Sequence, residues 1–187
     1  MRVIAGSARG RRLKAPRART RAAGPASVRP SSDLTRGAIF SSLASLGADM
    51  SRVLDLYAGS GALGIEALSR GAAWCDFVER DRSVCELIRE NLRLTGFERQ
   101  AQVYRLTSER ALEELEGPYT LLLADPPYED RAALRVLESL SGSMLVEEGR
   151  TILVMEHSSR HEPPNGFGPL SLTNSRRHGD SAVSIYR

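Results

Sequence analysis

Apolar and polar residues alternate along this chain in two registers. From residue 52 onward, short apolar runs with strand character are separated by stretches whose apolar positions recur at the helical period. Val53 to Tyr57, Trp74 to Glu79, Gln102 to Leu106, Tyr119 to Ala124 and Thr151 to Glu156 read as strands. Ala62 to Arg70, Arg82 to Thr95, Ser108 to Leu115 and Arg131 to Leu140 read as helices, with Gly71 and Gly96 ending the first two. Alternation of this kind predicts a parallel sheet wrapped by helices, an α/β fold. The end of the chain breaks the rhythm. Leu170 to Thr173 and Ala182 to Tyr186 read as strands joined by Asn174 to Ser181, which predicts a C-terminal antiparallel hairpin closing the sheet.

The first third follows other rules. Arg2 to Ala5 and Arg11 to Lys14 read as the arms of a small hairpin around the turn Gly6 to Gly10. Residues 15–30 hold three prolines and no apolar period, and read as a loop. Ser32 or Asp33 then caps a helix that runs to about Leu46, with Gly47 at its end. The expected division is a basic hairpin and loop over 1–28 and one folded domain over 29–187.

Length and composition permit this division. A chain of 187 residues with 41% hydrophobic and 26% charged residues supports a single hydrophobic core. No apolar run reaches the ~18 residues of a membrane helix, and the N-terminus lacks the apolar segment of a secretory signal. Cys75 and Cys85 are too few for a disulfide framework and lack metal-ligand spacing, so they read as packed thiols in a cytoplasmic protein with no metal. Charge changes the picture more. Residues 1–36 hold ten basic groups against one acid, whereas residues 37–187 hold 16 against 22. Lys14 is the only lysine, and arginine forks suit phosphate. A basic arm on an acidic body points to a polyanion, with Arg2, Arg9, Arg11, Arg12, Lys14, Arg29 and Arg36 as the phosphate-binding candidates and RNA or DNA as the partner. Arg176, Arg177 and His178, expected in the final turn, form a second candidate contact.

Two motifs carry the candidate chemistry. Gly59, Gly61 and Gly64 form GxGxxG directly after a strand and before a helix, where the missing Cβ atoms let the backbone approach a ligand. Glu79 follows Gly59 by twenty residues, at the end of the next strand, where a carboxylate can accept from ribose hydroxyls. The pattern fits a nucleoside cofactor, though a purely structural turn and a dinucleotide site share it. Asp55 argues against a pyrophosphate, because an acid beside the loop repels phosphate and attracts ammonium or sulfonium. The plainer role for Asp55 is to brace the loop. The second motif, Asp125-Pro126-Pro127-Tyr128, ends the leucine-rich fourth strand. It is either a strand terminator or a ligand site at the carboxyl end of an open sheet. As a site it suits a nucleobase amine, whose lone pair is delocalised into its ring. Asp125 and the Pro126 carbonyl can accept from its N–H groups while the nitrogen pyramidalises, the prolines fix that carbonyl, and Tyr128 offers a stacking face.

These residues resemble the class I S-adenosylmethionine-dependent methyltransferases, and within them the bacterial 16S rRNA guanine-N2 methyltransferases called the RsmD family. The resemblance spans nearly the whole chain: Arg2 to Gly6 with Arg9 to Leu13, Arg29 to Asp33 with Arg36 and Phe40, Val53 to Ala72, and Asp125 to Tyr128. It implies a seven-stranded Rossmann-like methyltransferase sheet and transfer of a methyl group to N2 of one guanine in 16S rRNA, on the 30S subunit or a late assembly intermediate, by a monomer. It implies that Arg29, Ser31, Asp55, Tyr57, Ala58, Gly59, Ser60, Gly61, Glu79 and Arg80 hold the cofactor. Thr107 and Ser108 stand where many such enzymes place an Asp against the adenine amine. Asp125, Pro126, Pro127 and Tyr128 would receive the base. The chain departs from the family at Ser31, where Thr is usual, and at Gly37, where Glu is usual. An adenine-N6 methyltransferase of DNA or RNA shares the DPPY motif, and a non-catalytic rRNA-binding assembly factor could share the fold. A nicotinamide dehydrogenase fits less well, since the length leaves no substrate domain.

Overall fold

The strand order places the two motifs side by side. The computed structural model describes residues 1–16, 33–126 and 131–187. Among them the elements run α1 Asp33–Ser45, β1 Arg52–Asp55, α2 Ala62–Ser69, β2 Trp74–Val78, α3 Arg82–Thr95, β3 Ala101–Tyr104, α4 Ser108–Glu114, β4 Leu121–Ala124, α5 Arg131–Ser141, β5 Ile152–Ser158, β6 Gly166–Phe167, β7 Leu170–His178 and β8 Ser181–Tyr186. They form one sheet ordered β3-β2-β1-β4-β5-β8-β7-β6. Strands β1 to β5 are parallel, while β8, β7 and β6 close the sheet antiparallel. The order reverses direction at β1, whose neighbours are β2 and β4, and open α/β sheets bind ligands at such a point. The architecture is the Rossmann-like methyltransferase fold expected from the sequence.

Alternate residues of each strand feed two cores. Val53, Phe77, Leu123 and Val154 pack beneath α1, α2 and α3, together with Val3, Ala8 and Leu13 of the N-terminal segment. Leu54, Val78, Leu122 and Leu153 pack beneath α4 and α5. Burial on both faces explains why β4 reads as a continuous apolar run rather than an alternating one.

The N-terminal hairpin closes as expected around the antiparallel bridge of Arg2 with Arg12: Val3 N donates to the Arg11 carbonyl at 3.0 Å, Gly10 N to the Val3 carbonyl at 2.9 Å and Leu13 N to the Met1 carbonyl at 3.1 Å, while other polar groups of its backbone bond to helices. Glu66 of α2 accepts the N–H groups of Ile4 at 2.8 Å and Ala5 at 3.1 Å. Ser69 accepts from Ala8 N and donates to the Ala5 carbonyl. Asn91 of α3 bonds both backbone groups of Lys14. The C-terminal hairpin is longer than expected. β7 continues through Asn174 to His178, the turn narrows to Gly179 and Asp180, and β6 adds an eighth strand. A polar stretch such as Asn174 to His178 hides a strand when only one edge of it is buried. Parallel strands β1 to β4 are shorter than expected, with β1 stopping at Asp55, β2 at Val78 and β3 at Tyr104 and β4 starting only at Leu121, whereas β5 runs past Glu156 to Ser158.

The N-terminal segment is thus a strut of the domain. Gly6 sits in the left-handed region, and a Cβ there would come within 1.7 Å of the Ser69 carbonyl oxygen. Glu66 is 1% exposed and also accepts from Arg70 Nε at 2.8 Å. Replacing Glu66 by Ala leaves two backbone donors and a guanidinium without their acceptor. We expect Glu66→Ala to cost about 3 kcal/mol and to lower Tm by roughly 6–12 °C, measured by thermal melting. Limited proteolysis should show the first sixteen residues released first.

Candidate active site

The glycine loop is built around one buried carboxylate. Asp55 is the last residue of β1 and is 1% exposed. Its Oδ2 accepts the Gly64 N–H at 2.9 Å, tying the strand's end to the first turn of α2. Its Oδ1 is buried with no hydrogen-bond partner. Burial pushes the carboxyl up to about 7, the Gly64 bond opposes this, and the negative charge of Glu79 adds to it. The two oxygens of one side chain thus differ: one braces the loop and the other has no hydrogen-bond partner.

Between the strand and α2 the backbone doubles back. Gly61 N donates to the Ala58 carbonyl at 2.7 Å, and Gly59 and Gly61 both take left-handed conformations. Gly61 is the N-cap of α2 and offers no side-chain cap. Gly64 answers a packing demand instead. A Cβ there would meet the Phe77 ring at 2.4 Å and the Cys75 sulfur at 2.7 Å. Cys75 is buried against β1 and α2, and burial with the nearby Asp55 and Asp76 charges raises its thiol, so it is a packed group as expected.

Glu79 stands just beyond β2 and links two loops. Its Oε2 accepts from Gly59 N at 3.2 Å and its Oε1 from Asp81 N at 2.8 Å. A carboxylate has about four acceptor sites, so both oxygens keep capacity for a ligand hydroxyl. Arg80 is exposed beside it. Tyr57, Gly59 and Ser60 are half-buried and Ala58 is buried. Past β3, Thr107 caps α4 by accepting from Arg110 N at 3.4 Å, and Ser108 is buried behind it.

The second motif lies on the neighbouring strand. β1 and β4 are paired, with Asp55 level with Leu123, and Leu56 N donates to the Leu123 carbonyl at 2.9 Å. Asp125, half-buried, and Pro126, buried, follow β4 at this same carboxyl edge. Pro127 and Tyr128, and the cofactor candidates Arg29 and Ser31, lie outside the described residues.

The basic candidates separate into two groups. Helices α2 and α3 run back from the carboxyl edge, so Ser69 and Leu94 lie toward the amino edge of the sheet. The Gly6–Gly10 turn, with Arg9, is seated against Ser69, and Arg11 Nη1 donates to the Leu94 carbonyl at 2.7 Å. Arg2 and Lys14 lie at the other end of the segment, beside Asp33 and Glu90 respectively, with Arg12 paired to Arg2. Arg36 is corrected outright. It is 0% exposed, and its Nη2 donates to Asp33 at 2.7 Å and to the Arg2 carbonyl at 2.9 Å. It anchors α1 to the N-terminus and faces no phosphate. Helical spacing from Asp33 was the signal, since an acid three residues earlier on the same face is an internal partner.

Sequence reasoning missed Asn91, whose side chain donates to the Ser60 carbonyl at 2.9 Å while holding Lys14. It also missed Asp76, buried in β2, which accepts from Tyr119 OH at 2.7 Å and Trp74 Nε1 at 2.8 Å. A lone acid in the apolar run WCDFV was a visible signal for Asp76; a single Asn in a polar helix was none. Among the described residues no cluster of metal-ligating side chains occurs, and no helix is long and apolar enough to cross a membrane.

Comparison with known proteins shows the family and the fold. The family profile described as "Conserved hypothetical protein 95" matches residues 1–187. YlbH of Bacillus subtilis is 39% identical over 190 residues, covering 100% of this chain and 98% of that protein. "Ribosomal RNA small subunit methyltransferase D" of Escherichia coli K12 is 36% identical over 188 residues, covering 100% of this chain and 89% of that protein. The solved structure of yhhF from Escherichia coli superimposes with a TM-score of 0.80 at 29% identity, covering 100% and 96% of the two chains.

Asp55 supplies a direct check of the buried-carboxylate geometry. Its folded-state value, about 7, lies above the unfolded value of 3.8, so the folded state binds more protons between them. Stability from this group is therefore greatest at acid pH and declines as pH rises from 3.8 toward 7. Wild-type stability should fall relative to Asp55→Asn by on the order of 1 kcal/mol per pH unit across that window, measured by urea unfolding at stepped pH. Parallel curves for the two proteins would refute the assignment.

Proposed function

Since the chain belongs to the RsmD family of ribosomal RNA methyltransferases, we propose that it transfers the methyl group of S-adenosylmethionine to the exocyclic N2 of a guanine in 16S rRNA. The observation that carries this reading is the pairing of β1 with β4. It brings the unpartnered Asp55 oxygen and the glycine loop beside Asp125 at one edge of the sheet.

The donor set fits the cofactor. S-adenosylmethionine supplies, when bound, a methyl group on a positively charged sulfur. Asp55 Oδ1 offers the acceptor that its ammonium end requires, from a site too dry to tolerate a phosphate. Gly59 and Gly61 clear the backbone for close approach. Glu79 offers acceptors for ribose hydroxyls, and its bonds to Gly59 and Asp81 hold it in place. Arg80, Thr107 and Ser108 border the adenosine side. Tyr57, Ala58 and Ser60 complete the loop, and Arg29 and Ser31 would close over the methionine end.

Asp125 has the central chemical task. It and the Pro126 carbonyl accept hydrogen bonds from the guanine amine, which favours a pyramidal nitrogen. The negative charge of Asp125 then offsets the positive charge that builds on nitrogen as the N–C bond would form and the methyl–sulfur bond break, and the amine proton would pass to Asp125 or to water, leaving a neutral thioether and a neutral methylated base. Pro127 restricts the backbone, and the Tyr128 ring stacks on the base. Alignment of the reacting groups beside Asp125 can supply roughly 7–11 kcal/mol. Arg2, Arg12 and Lys14 contact RNA phosphates at the near end of the N-terminal segment, with Arg9 and Arg11 at its far end.

The test is methyl transfer from labelled cofactor to 30S particles that lack the modification, followed by mapping of the labelled nucleotide. Label on guanine N2 of 16S rRNA is the expected result. Label on adenine, or on duplex DNA in preference to 30S particles, would replace this reading. Asp125→Ala should lower the transfer rate by on the order of 10²-fold or more, with cofactor affinity by calorimetry nearly unchanged. Full methyl transfer in that variant would refute the catalytic role given to Asp125.

A further inference from the structure

The antiparallel end of the sheet brings a second basic surface to the same edge. β5 outruns β4. Ala124 is level with Met155, yet β5 continues through Glu156, His157 and Ser158. Those three residues pair with Val183, Ala182 and Ser181 of β8, which pair in turn with Arg176, Arg177 and His178 of β7. The turn Gly179–Asp180 therefore lies at the carboxyl edge, beyond the level of Asp125. Counting along the register, Arg176 is level with Asp125 and Arg177 with Pro126. Three strand spacings, about 14 Å, separate β4 from β7.

The tip is a fixed platform. His157 Nε2 lies 2.8 Å from Ser184 Oγ, and Ser184 Oγ donates to Ser175 Oγ at 3.1 Å, which laces β5, β8 and β7 just below the turn. Burial holds the His157 imidazole below its ordinary basicity, so it acts as a neutral fastener. Arg177 Nε donates to the Gly179 carbonyl at 3.4 Å. Arg176 and Arg177 are exposed, as is Arg160 just after β5, and Asp180 in the turn is the neighbouring acid. Arginines concentrate here although residues 37–187 carry more acids than bases.

We propose that the β7–β8 tip, through Arg176 and Arg177, grips the RNA phosphate backbone on the side of the Asp125 strand end opposite the N-terminal segment. This deepens the rRNA reading above and rests on it. The two basic surfaces flank the base-receiving edge, so the strand that delivers the base is held on both sides of it. One grip leaves the target free to pivot; two set its register.

The experiment uses the full chain with Arg176→Gln and Arg177→Gln combined, the single variant Arg177→Gln, and Arg150→Gln as a control at the amino edge. Binding of labelled single-stranded RNA and of 30S particles is measured across a salt series, with thermal melting to confirm folding. The double variant should bind RNA about tenfold more weakly, with a log–log salt slope shallower by about 1.4–1.8, that is ~0.7–0.9 per phosphate contact. The single variant should lose about half of that slope, and Arg150→Gln none. KM for 30S particles should rise and cofactor affinity should stay unchanged. RNA affinity and slope equal to wild type would overturn the proposal. Loss on 30S particles with naked RNA unaffected would also overturn it, in favour of a protein contact. Hairpin-dependent RNA binding by a wild-type protein that methylates no 30S particle would uphold the grip and refute the enzymatic reading alone.

Discussion

A carboxylate buried where a strand meets a helix constrains the rest of this molecule. Asp55 is held by the Gly64 N–H through one oxygen, which fixes the angle at which α2 leaves the sheet. That angle demands a chain reversal within a few residues, which left-handed Gly59 and Gly61 permit. It also presses Gly64 onto the Phe77 ring, so no side chain fits there. An isolated buried charge is costly and tends to neutralise, which is the physical content of the raised Asp55 value. The fold tolerates it because one oxygen is satisfied internally. The other has no hydrogen-bond partner, and on the proposed function a positively charged ligand would relieve its cost.

Much of this was legible in the sequence, for identifiable reasons. Strands buried on both faces announce themselves as apolar runs, as in Leu121 to Ala124. Gly61 and Gly64 are legible because a side chain would crowd Ile88 and Phe77 respectively, and Gly59 because its backbone is left-handed. Asp55 was legible in kind: the bracing contact is present at Gly64 N, and its second oxygen has no hydrogen-bond partner. What escaped was long-range. Nothing local in Glu66 or Asn91 states that their partners lie 62 and 77 residues earlier in the chain. Arg36 misled because charge counting treats every arginine as exposed, and a guanidinium beside an acid one turn away can serve the interior. Asn174 to His178 misled because polar residues on an outer strand carry no burial signal.

The sheet also explains how an acidic body can serve a polyanion. Its amino edge and helical surfaces carry ion pairs such as Arg150 with Asp49 and Glu147, which neutralise arginine locally. At the carboxyl edge the motif acids Asp55, Glu79 and Asp125 sit toward the centre, buried or half-buried. On the proposed function, Arg2, Arg12 and Lys14 would attract phosphate on one side of these acids and Arg176 and Arg177 on the other, and the acids would repel it where a neutral base enters. Coulomb interactions over such distances are screened within about a Debye length of ~8–10 Å. The flanks and the centre therefore act on different parts of a strand laid across the edge.

The placement of the N-terminal segment links these two tasks. Asn91 holds the Lys14 backbone and the Ser60 carbonyl with one amide, while Met1 Sδ lies 3.7 Å from Ser60 Oγ. The segment that carries the basic residues therefore packs directly on the outer side of the glycine loop. Glu66 and Ser69 fasten its other end to the helix that the loop initiates. A loop with two left-handed glycines is intrinsically free to rearrange, and its free-chain entropy is high. Clamped between Asp55 and Glu79 within and Asn91 without, it has few alternatives. Displacing the segment would release the loop from one side, so the basic arm and the ligand cradle rise and fall in order together.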